Sequence, residues 1–252
     1  MFKMFFLILF LGHIIGDFYL QNTAMARGKL NKPKCFILHT VLYSLAIFLV
    51  CIPIWNCEYI LPIVMLSISH AAIDGMKAVI NRGKLLSTCV NRDMIFFLID
   101  QFLHVVCIVI VSIYMTKEAF LITTNRTVSW LIHLNVDYIF VIKLLILLLG
   151  NIRPCNILIK STVQFYKPKD EKKDDNQTSG NDGAGATIGV LERYLITFFA
   201  VNGEYSLIGL ILTAKSIARF SKLSEDKEFA EYYLMGTLLS VLLVIGLCKI
   251  TL

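Results

Sequence analysis

Apolar stretches close to the length of a bilayer crossing recur along almost the whole chain. A transmembrane helix needs about 20 consecutive, mostly apolar residues. Of the 252 residues, 57% are hydrophobic and only 17% are charged, which leaves no room for a separate soluble domain. The sequence therefore predicts an all-α, polytopic transmembrane helical bundle that forms a single transmembrane domain over residues 1–252.

Eight membrane spans are predicted. The fifth is weak, because Lys143 interrupts it and Arg153-Pro154 ends it early, with residues 155–166 continuing as an interfacial helix. The seventh is also weak, because cations lie at its end, so seven spans remain an alternative. The predicted spans are residues 2–20, 35–54, 59–80, 94–115, 138–153, 187–202, 204–220 and 231–250.

The basic residues predict an orientation. Lysines and arginines are concentrated in the connections that follow spans one, three, five and seven, and are sparse in the alternate connections. Cytoplasmic loops carry this excess, so both termini are predicted to lie outside. The net charge of +6 is explained in this way and does not indicate a nucleic-acid partner.

Three further sequence features bear on processing, disorder and cross-linking. The N-terminal apolar stretch contains His13 and Asp17, so it is predicted to be a retained span and not a cleaved signal peptide. Residues 167–186 are charged, polar and Gly-rich, which predicts a flexible cytoplasmic linker. The seven cysteines are scattered without a CxxC pair, which argues against a disulfide framework or a zinc cage.

Three predicted spans each carry a histidine and an aspartate four residues apart. The pairs are His13/Asp17, His70/Asp74 and Asp100/His104, and His39 opens the second span. Residues four apart share one face of a helix, with Cβ atoms about 6 Å apart. All seven side chains are predicted to lie in the cytoplasmic half of the bundle, so they could meet in one layer.

Burying these groups has a cost that needs an explanation. An aspartate near the centre of a membrane helix costs about 2.5–3.5 kcal/mol, and such residues usually mark function. A divalent transition metal (zinc, manganese or iron) is the favoured explanation, with His13, Asp17, His70, Asp74, Asp100 and His104 as ligands and His39 as ligand or proton shuttle. A proton or ion relay and a purely structural hydrogen-bond network are the alternatives.

A second set of polar residues is predicted near the cytoplasmic boundary. Lys77, Arg193, Lys215 and Arg219 could grip a phosphate or another anion, although single cations there usually reach toward lipid headgroups. Glu192 could act as a ligand or general base, although an ion pair with a neighbouring span is favoured. Gly12-x-x-x-Gly16 fits close helix packing that presents His13 and Asp17 to a neighbour.

Several of these motifs resemble the uncharacterised bacterial membrane family catalogued as domain of unknown function 3307. The similar segments are HIIGDFYLQ from His13 with Lys29, His39, SHAAIDGMK from Ser69, Asp100-Gln101-x-x-His104, IGVLER from Ile188, AKSIARF from Ala214, Glu231-Tyr232 and Met235-Gly236-Thr237. The resemblance implies a bacterial cytoplasmic membrane protein but no specific activity. A looser similarity in motif style is to membrane-bound metal-dependent hydrolases, which by itself does not establish chemistry.

Three functions follow as hypotheses. The leading one is a membrane-embedded, metal-dependent hydrolase that acts on an anionic, lipid-linked or small-molecule substrate. The second is a proton or ion translocator, which the apolar outer halves of spans two to four argue against. The third is a membrane sensor or regulatory protein that uses residues 167–186 for docking. No Gly-rich phosphate loop, GxSxG motif or dinucleotide fingerprint supports a soluble-type kinase, hydrolase or dehydrogenase.

Overall fold

The long apolar runs form helices, and the part of the chain that the structure describes contains no strand. The computed structural model describes residues 1–29, 32–82, 92–118, 137–166 and 182–252. Six of its helices are long and apolar enough to cross a membrane: Phe2–Tyr19, Pro33–Ile54, Cys57–Ile80, Met94–Lys117, Tyr138–Val163 and Lys227–Thr251. The protein is thus an all-α polytopic helical bundle, as predicted.

The helices fall into two compact units, Met1–Ile146 and Leu147–Leu252. The first contains α1 (Phe2–Ile14), α2 (Thr23–Gly28), α3 (Pro33–Cys51), α4 (Ile60–Arg82), α5 (Arg92–Lys117) and the start of α6 (Tyr138–Val163). The second contains the rest of α6, α7 (Asp182–Val201), α8 (Tyr205–Ile217), α9 (Phe220–Glu225) and α10 (Lys227–Thr251). A π-helical turn, Ile15–Tyr19, follows α1, and short 3₁₀ turns lie at Ile52–Ile54, Cys57–Tyr59 and Gln164–Tyr166.

α1 is the central helix of the first unit. It packs against α3 and α5, while α4 packs against both of those helices. Its apolar side chains point in every direction, and 56% of its span is buried, against 33% or less for each of the other spans. A helix that is apolar all round is expected to be enclosed by neighbours. The surrounding helices turn large apolar side chains outward, such as Val79 and Phe102.

Two glycines set the distance between α1 and α3. An added Cβ at Gly12 would lie 2.7 Å from Ile47 Cδ1 and 3.1 Å from Ile47 Cα. At Gly16 it would lie 2.7 Å from Tyr43 Cδ2 and 3.2 Å from Tyr43 Cα. The two backbones therefore approach more closely than any side chain at these positions would permit. The predicted role of this motif in close helix packing is confirmed.

This contact yields a first prediction. Gly16→Ala should lower the free energy of unfolding by about 1–3 kcal/mol, because the added methyl group must push α3 away. Gly246→Ala in α10 is the matched control, since a Cβ there meets nothing within 4 Å. Thermal unfolding of both variants in detergent tests the prediction. Equal stability of Gly16→Ala and Gly246→Ala would contradict it.

The second unit is built around α7 and α10. α7 packs against α10 and α8, and α9 packs against α10. Its core consists of small and branched apolar side chains: Leu147, Ile196, Ala200, Ile208, Val244 and Cys248. Between α7 and α8 the chain reverses at Gly203, whose φ of +77° is strained for any residue with a side chain.

Some predicted boundaries were wrong. The fifth span was predicted to end at Arg153-Pro154 with a separate interfacial helix after it, but α6 is one helix that runs through Pro154 to Val163. Membrane helices tolerate proline when neighbouring groups satisfy the freed backbone. α7 begins at Asp182, five residues before the predicted sixth span, so only residues 167–181 of the predicted linker lie outside the described residues. The predicted seventh span, residues 204–220, is shorter than predicted. Its helix α8 ends at Ile217, and Phe220 begins the next helix, α9.

Candidate metal centre

Asp17 lies in the π-helical turn at the end of α1. The N–H of Leu20 donates to the carbonyl of Ile15 at 2.9 Å, so this turn holds one residue more than an α-helical turn. Such turns are rare and often occur at functional sites. His13 Nδ1 and Asp17 Oδ2 are 4.0 Å apart across this turn. The π turn thus holds Asp17 in the layer of the first unit that contains the histidines.

The glycine contact between α1 and α3 aligns Asp17 with His39. Gly16 lies against Tyr43, which is one helical turn from His39 on α3. The next residue of the π-helical turn, Asp17, therefore faces the start of α3. Asp17 Oδ1 lies 3.2 Å from His39 Nε2 and 3.5 Å from His70 Nε2 on α4. Close helix packing therefore positions the first carboxylate of the cluster.

Four ligand atoms from three helices converge on one point. His39 Nε2 lies 2.9 Å from His70 Nε2 and 3.3 Å from Asp74 Oδ2, and His70 Nε2 lies 3.5 Å from Asp74 Oδ2. With Asp17 Oδ1, five of the six distances among these atoms are therefore 2.9–3.5 Å. Zinc bonds of about 2.0–2.1 Å in a tetrahedron place their ligand atoms about 3.3–3.4 Å apart. Five of these separations therefore suit one shared cation, and the four side chains are at most 8% exposed.

The two imidazoles of this set both turn Nε2 inward. Their Nδ1 atoms are buried and have no hydrogen-bond partner among the described residues. The ring of His70 is held by Tyr43, which stacks on it with centroids 3.6 Å apart and planes 6° apart. Tyr43 is fully buried. Packing, more than hydrogen bonding, fixes the direction of the His70 ring.

Asp100 and His104 extend the cluster along α5. His104 Nδ1 donates to the Asp100 carbonyl at 2.8 Å, which leaves the lone pair of Nε2 free. Both His104 Nε2 and Asp100 Oδ1 are buried without a hydrogen-bond partner in the described chain. Asp74, Asp100 and His104 offer ligand atoms within 4.8 Å of one another, as do His13, Asp17 and His70.

Gln101 connects the two halves of the cluster. Its side-chain amide donates to Asp17 Oδ2 at 3.3 Å and to Asp100 Oδ2 at 3.4 Å. Its carbonyl accepts from His13 Nε2 at 3.3 Å, so the lone pair of His13 Nδ1 faces the cluster. The sequence identified Gln101 only as part of the Asp100-Gln101-x-x-His104 motif. Its contacts instead make it a positioning residue for three of the candidate ligands.

Two lysines form ion pairs with carboxylates of the cluster. Lys29 Nζ donates to Asp74 Oδ2 at 2.6 Å, and Lys77 Nζ donates to Asp100 Oδ2 at 2.8 Å. The Lys77 side chain is 31% exposed, whereas that of Lys29 is 12% exposed. With neutral imidazoles, three carboxylates and two ammonium groups leave one net negative charge on the cluster. That balance leaves the site suited to a further positive charge.

The other predicted groups make their contacts within the second unit. Glu192 accepts from Lys215 Nζ at 2.6 Å, which is the ion pair that the sequence favoured. Arg193 is 3% exposed, so it does not extend toward the headgroups, and its Nε donates to the Asn151 carbonyl at 2.8 Å. The guanidinium of Arg219 lies over the Phe229 ring at 6.0 Å. The predicted substrate and catalytic roles of these four residues stay predictions.

Sequence reasoning missed two features of the centre. Tyr43 was not selected, although it lies four residues after His39 and therefore shares its helix face. The π-helical turn carries no clear sequence signal, since HIIGDFYLQ reads as an ordinary helix end. By contrast, all seven His and Asp residues chosen from the sequence lie in the cluster.

Comparison with known proteins gives a family but no activity. The sequence profile of the family described as Protein of unknown function (DUF3307) matches residues 5–132. This range includes every His and Asp of the cluster, while the similar motifs after Ile188 lie beyond it. No curated protein matches the chain, and no solved structure matches it. Since the matched range covers half of the 252 residues, the chain belongs to the DUF3307 family.

Proposed function

We propose that the protein is a membrane-embedded, metal-dependent hydrolase that acts on an anionic, lipid-linked substrate. The observation that carries this proposal is the close approach of four atoms, with five of their six separations at 2.9–3.5 Å: Asp17 Oδ1, His39 Nε2, His70 Nε2 and Asp74 Oδ2. A hydrogen bond between the two imidazole Nε2 atoms uses the proton that the pair shares, and it leaves the buried Asp17 Oδ1 without a hydrogen-bond partner among the described residues. A divalent cation gives all four atoms a common partner.

The chemistry of the donor set supports a transition metal. Two imidazole nitrogens and two carboxylate oxygens suit zinc, manganese or iron. A divalent cation held by these residues would lower the pKa of a coordinated water toward neutrality and would polarise the scissile bond. Hydrolysis then adds water across an ester or anhydride bond, and the leaving group departs with a proton. His39 has its Nε2 among the four ligand atoms, which supports the role of ligand over that of proton shuttle.

The charge of the site supports an anionic substrate. One divalent cation turns the net negative charge of the cluster into a net positive charge. Lys77 is the more exposed of the two lysines and contacts Asp100, so it can meet a substrate that enters beside α5. Because the cluster lies within membrane-spanning helices, a phospholipid or an isoprenoid phosphate can present its phosphate there. The loop charges favour a site that opens to the cytoplasm of a bacterial cell, with both termini outside.

A transmembrane proton relay is the second candidate, and the short His39–His70 contact favours it. A relay across the bilayer also needs polar groups toward the opposite side. In the described part of the first unit, the buried residues beyond the cluster are almost all apolar, including Phe5, Ile8, Leu66, Ile108 and Met115. This apolar layer favours the hydrolase. Proton flux into proteoliposomes that is lost in Asp100→Asn, with metal content unchanged, would support the relay instead.

Metal analysis of the purified protein tests the proposal. Wild type is expected to retain a transition metal after gel filtration, and His70→Ala and Asp74→Ala are expected to lose most of it. Asp137→Asn is the matched control, because this carboxylate is exposed and lies outside the cluster. Wild type without bound zinc, manganese or iron would overturn the proposal.

Phosphate release is the matching activity measurement. In detergent-lipid micelles, wild type is expected to release inorganic phosphate from an isoprenoid diphosphate or a phosphatidic acid, and chelation should abolish release. His70→Ala should reduce the rate at least about 100-fold, since a missing ligand removes stabilisation specific to the transition state. Equal rates in wild type and His70→Ala would contradict a hydrolase that depends on this cluster.

A further inference from the structure

The cluster contains more ligand atoms than one cation can use. A cation bound by His39, His70 and Asp74, with Asp17 Oδ1 beside both imidazoles, already has four candidate protein ligands. This leaves Asp100 Oδ1 and His104 Nε2, both buried and without a hydrogen-bond partner in the described chain. Their residues are 6% and 2% exposed, so solvent does not satisfy them. Two orphaned acceptor atoms on one helix, beside the carboxylate of Asp74, need a positive partner of their own.

We propose that Asp74, Asp100 and His104 form a second divalent-cation position, that Asp74 is shared between the two positions, and that the second position is the one that binds the substrate phosphate. This inference rests on the proposed function and divides its site into two parts. The ligand atoms of these three residues lie within 4.8 Å of one another. Bonds of about 2.0–2.2 Å to one tetrahedral cation place ligand atoms about 3.3–3.6 Å apart, which lies within this limit.

The hydrogen bonds around the second position leave the required atoms free. Lys77 and Gln101 both contact Asp100 at Oδ2, so Oδ1 remains available to a cation. The carbonyl of Asp100 holds His104 Nδ1, which presents the Nε2 lone pair. A histidine bound to a metal usually has its other ring nitrogen held in this way. The same contacts keep the carboxylate and the ring oriented on α5.

The number of protein ligands separates the roles of the two positions. Four protein ligands close a tetrahedral zinc site, whereas catalytic sites keep three and leave one position open to water or substrate. The first position has four ligands and the second has three. Lys77, whose side chain is 31% exposed and forms an ion pair with Asp100, lies beside the open position and adds a positive charge there. A phosphate oxygen is thus expected to bind the cation that Asp74, Asp100 and His104 hold.

Cobalt titration distinguishes the two positions without relying on activity. Metal-free wild type is expected to bind two Co²⁺ per chain, and inorganic phosphate is expected to change the visible absorption of the second. His104→Ala should bind one Co²⁺ and lose the phosphate-dependent change. Asp100→Asn should do the same, and it keeps the side-chain volume in case His104→Ala fails to fold. Helical circular dichroism and thermal unfolding establish folding for both variants.

The possible stoichiometries separate this inference from the proposed function. One Co²⁺ in wild type that is lost in His70→Ala but kept in His104→Ala would leave metal binding by the first position intact and overturn the second position. Two Co²⁺ in wild type and in both α5 variants would also overturn it. Failure of wild type to bind any Co²⁺ would overturn both proposals.

Discussion

Replacing Lys29 with methionine is expected to destabilise the metal-free protein by about 3–5 kcal/mol. Lys29 Nζ lies 2.6 Å from Asp74 Oδ2, and the two side chains are 12% and 7% exposed. Removing one partner of a buried ion pair leaves the other charge uncompensated, which costs about this much. The measurement is unfolding in detergent after chelation and dialysis.

The metal proposal adds a second expectation for the same variant. When a divalent cation is restored, it supplies the positive charge that Asp74 has lost, so the difference from wild type should shrink. The double variant Lys29→Met/Asp74→Asn should recover most of the stability in chelator, since no uncompensated charge remains. If Lys29→Met is as stable as wild type without metal, Lys29 does not neutralise Asp74.

A second ion pair provides the matched control. Lys215 and Glu192 are also 2.6 Å apart, but their side chains are 25% and 17% exposed. Ion pairs nearer to solvent contribute less, because water replaces the lost partner. Lys215→Met is therefore expected to cost less than Lys29→Met, and its effect should not depend on the added metal. An equal or larger loss in Lys215→Met would show that burial is not the cause.

Replacing Tyr43 with alanine is expected to cost about 3–5 kcal/mol and to weaken metal binding about 10–100-fold. Tyr43 is fully buried between α1 and α4, and truncating a buried aromatic side chain leaves a cavity. Its ring also stacks on that of His70, so the imidazole loses the surface that orients it. Loss of a positioning group typically weakens a metal site by this factor. Chemical unfolding and competitive metal titration measure the two effects.

Tyr43→Phe separates the role of the ring from that of the hydroxyl. The hydroxyl oxygen is buried and has no hydrogen-bond partner among the described residues. Phenylalanine keeps the stacking surface and removes a polar atom whose burial is unfavourable. Stability within about 0.5 kcal/mol of wild type, or slightly higher, is expected, with unchanged metal binding. A large loss of metal in Tyr43→Phe would show that the hydroxyl takes part in the site.

The sequence alone determined the fold class and the composition of the site. Transmembrane helices are specified locally, because each must satisfy its own backbone hydrogen bonds and face lipid with apolar side chains. The i,i+4 spacing of His70/Asp74 and Asp100/His104 could be read for the same reason, since it depends only on the geometry of one helix. Gly12 and Gly16 likewise indicated close packing before any partner was known.

Only the tertiary structure decided which atoms meet. The distance of 3.2 Å between Asp17 and His39 depends on the closeness of α1 to α3 and on the π-helical turn. The pairing of Lys77 with Asp100, and not with Asp74 on its own helix, depends on how α4 packs against α5. Contacts between helices follow from the rotation and separation of whole elements, which no local pattern fixes. For that reason the sequence identified the seven charged and imidazole groups, while the packing of four helices placed their atoms.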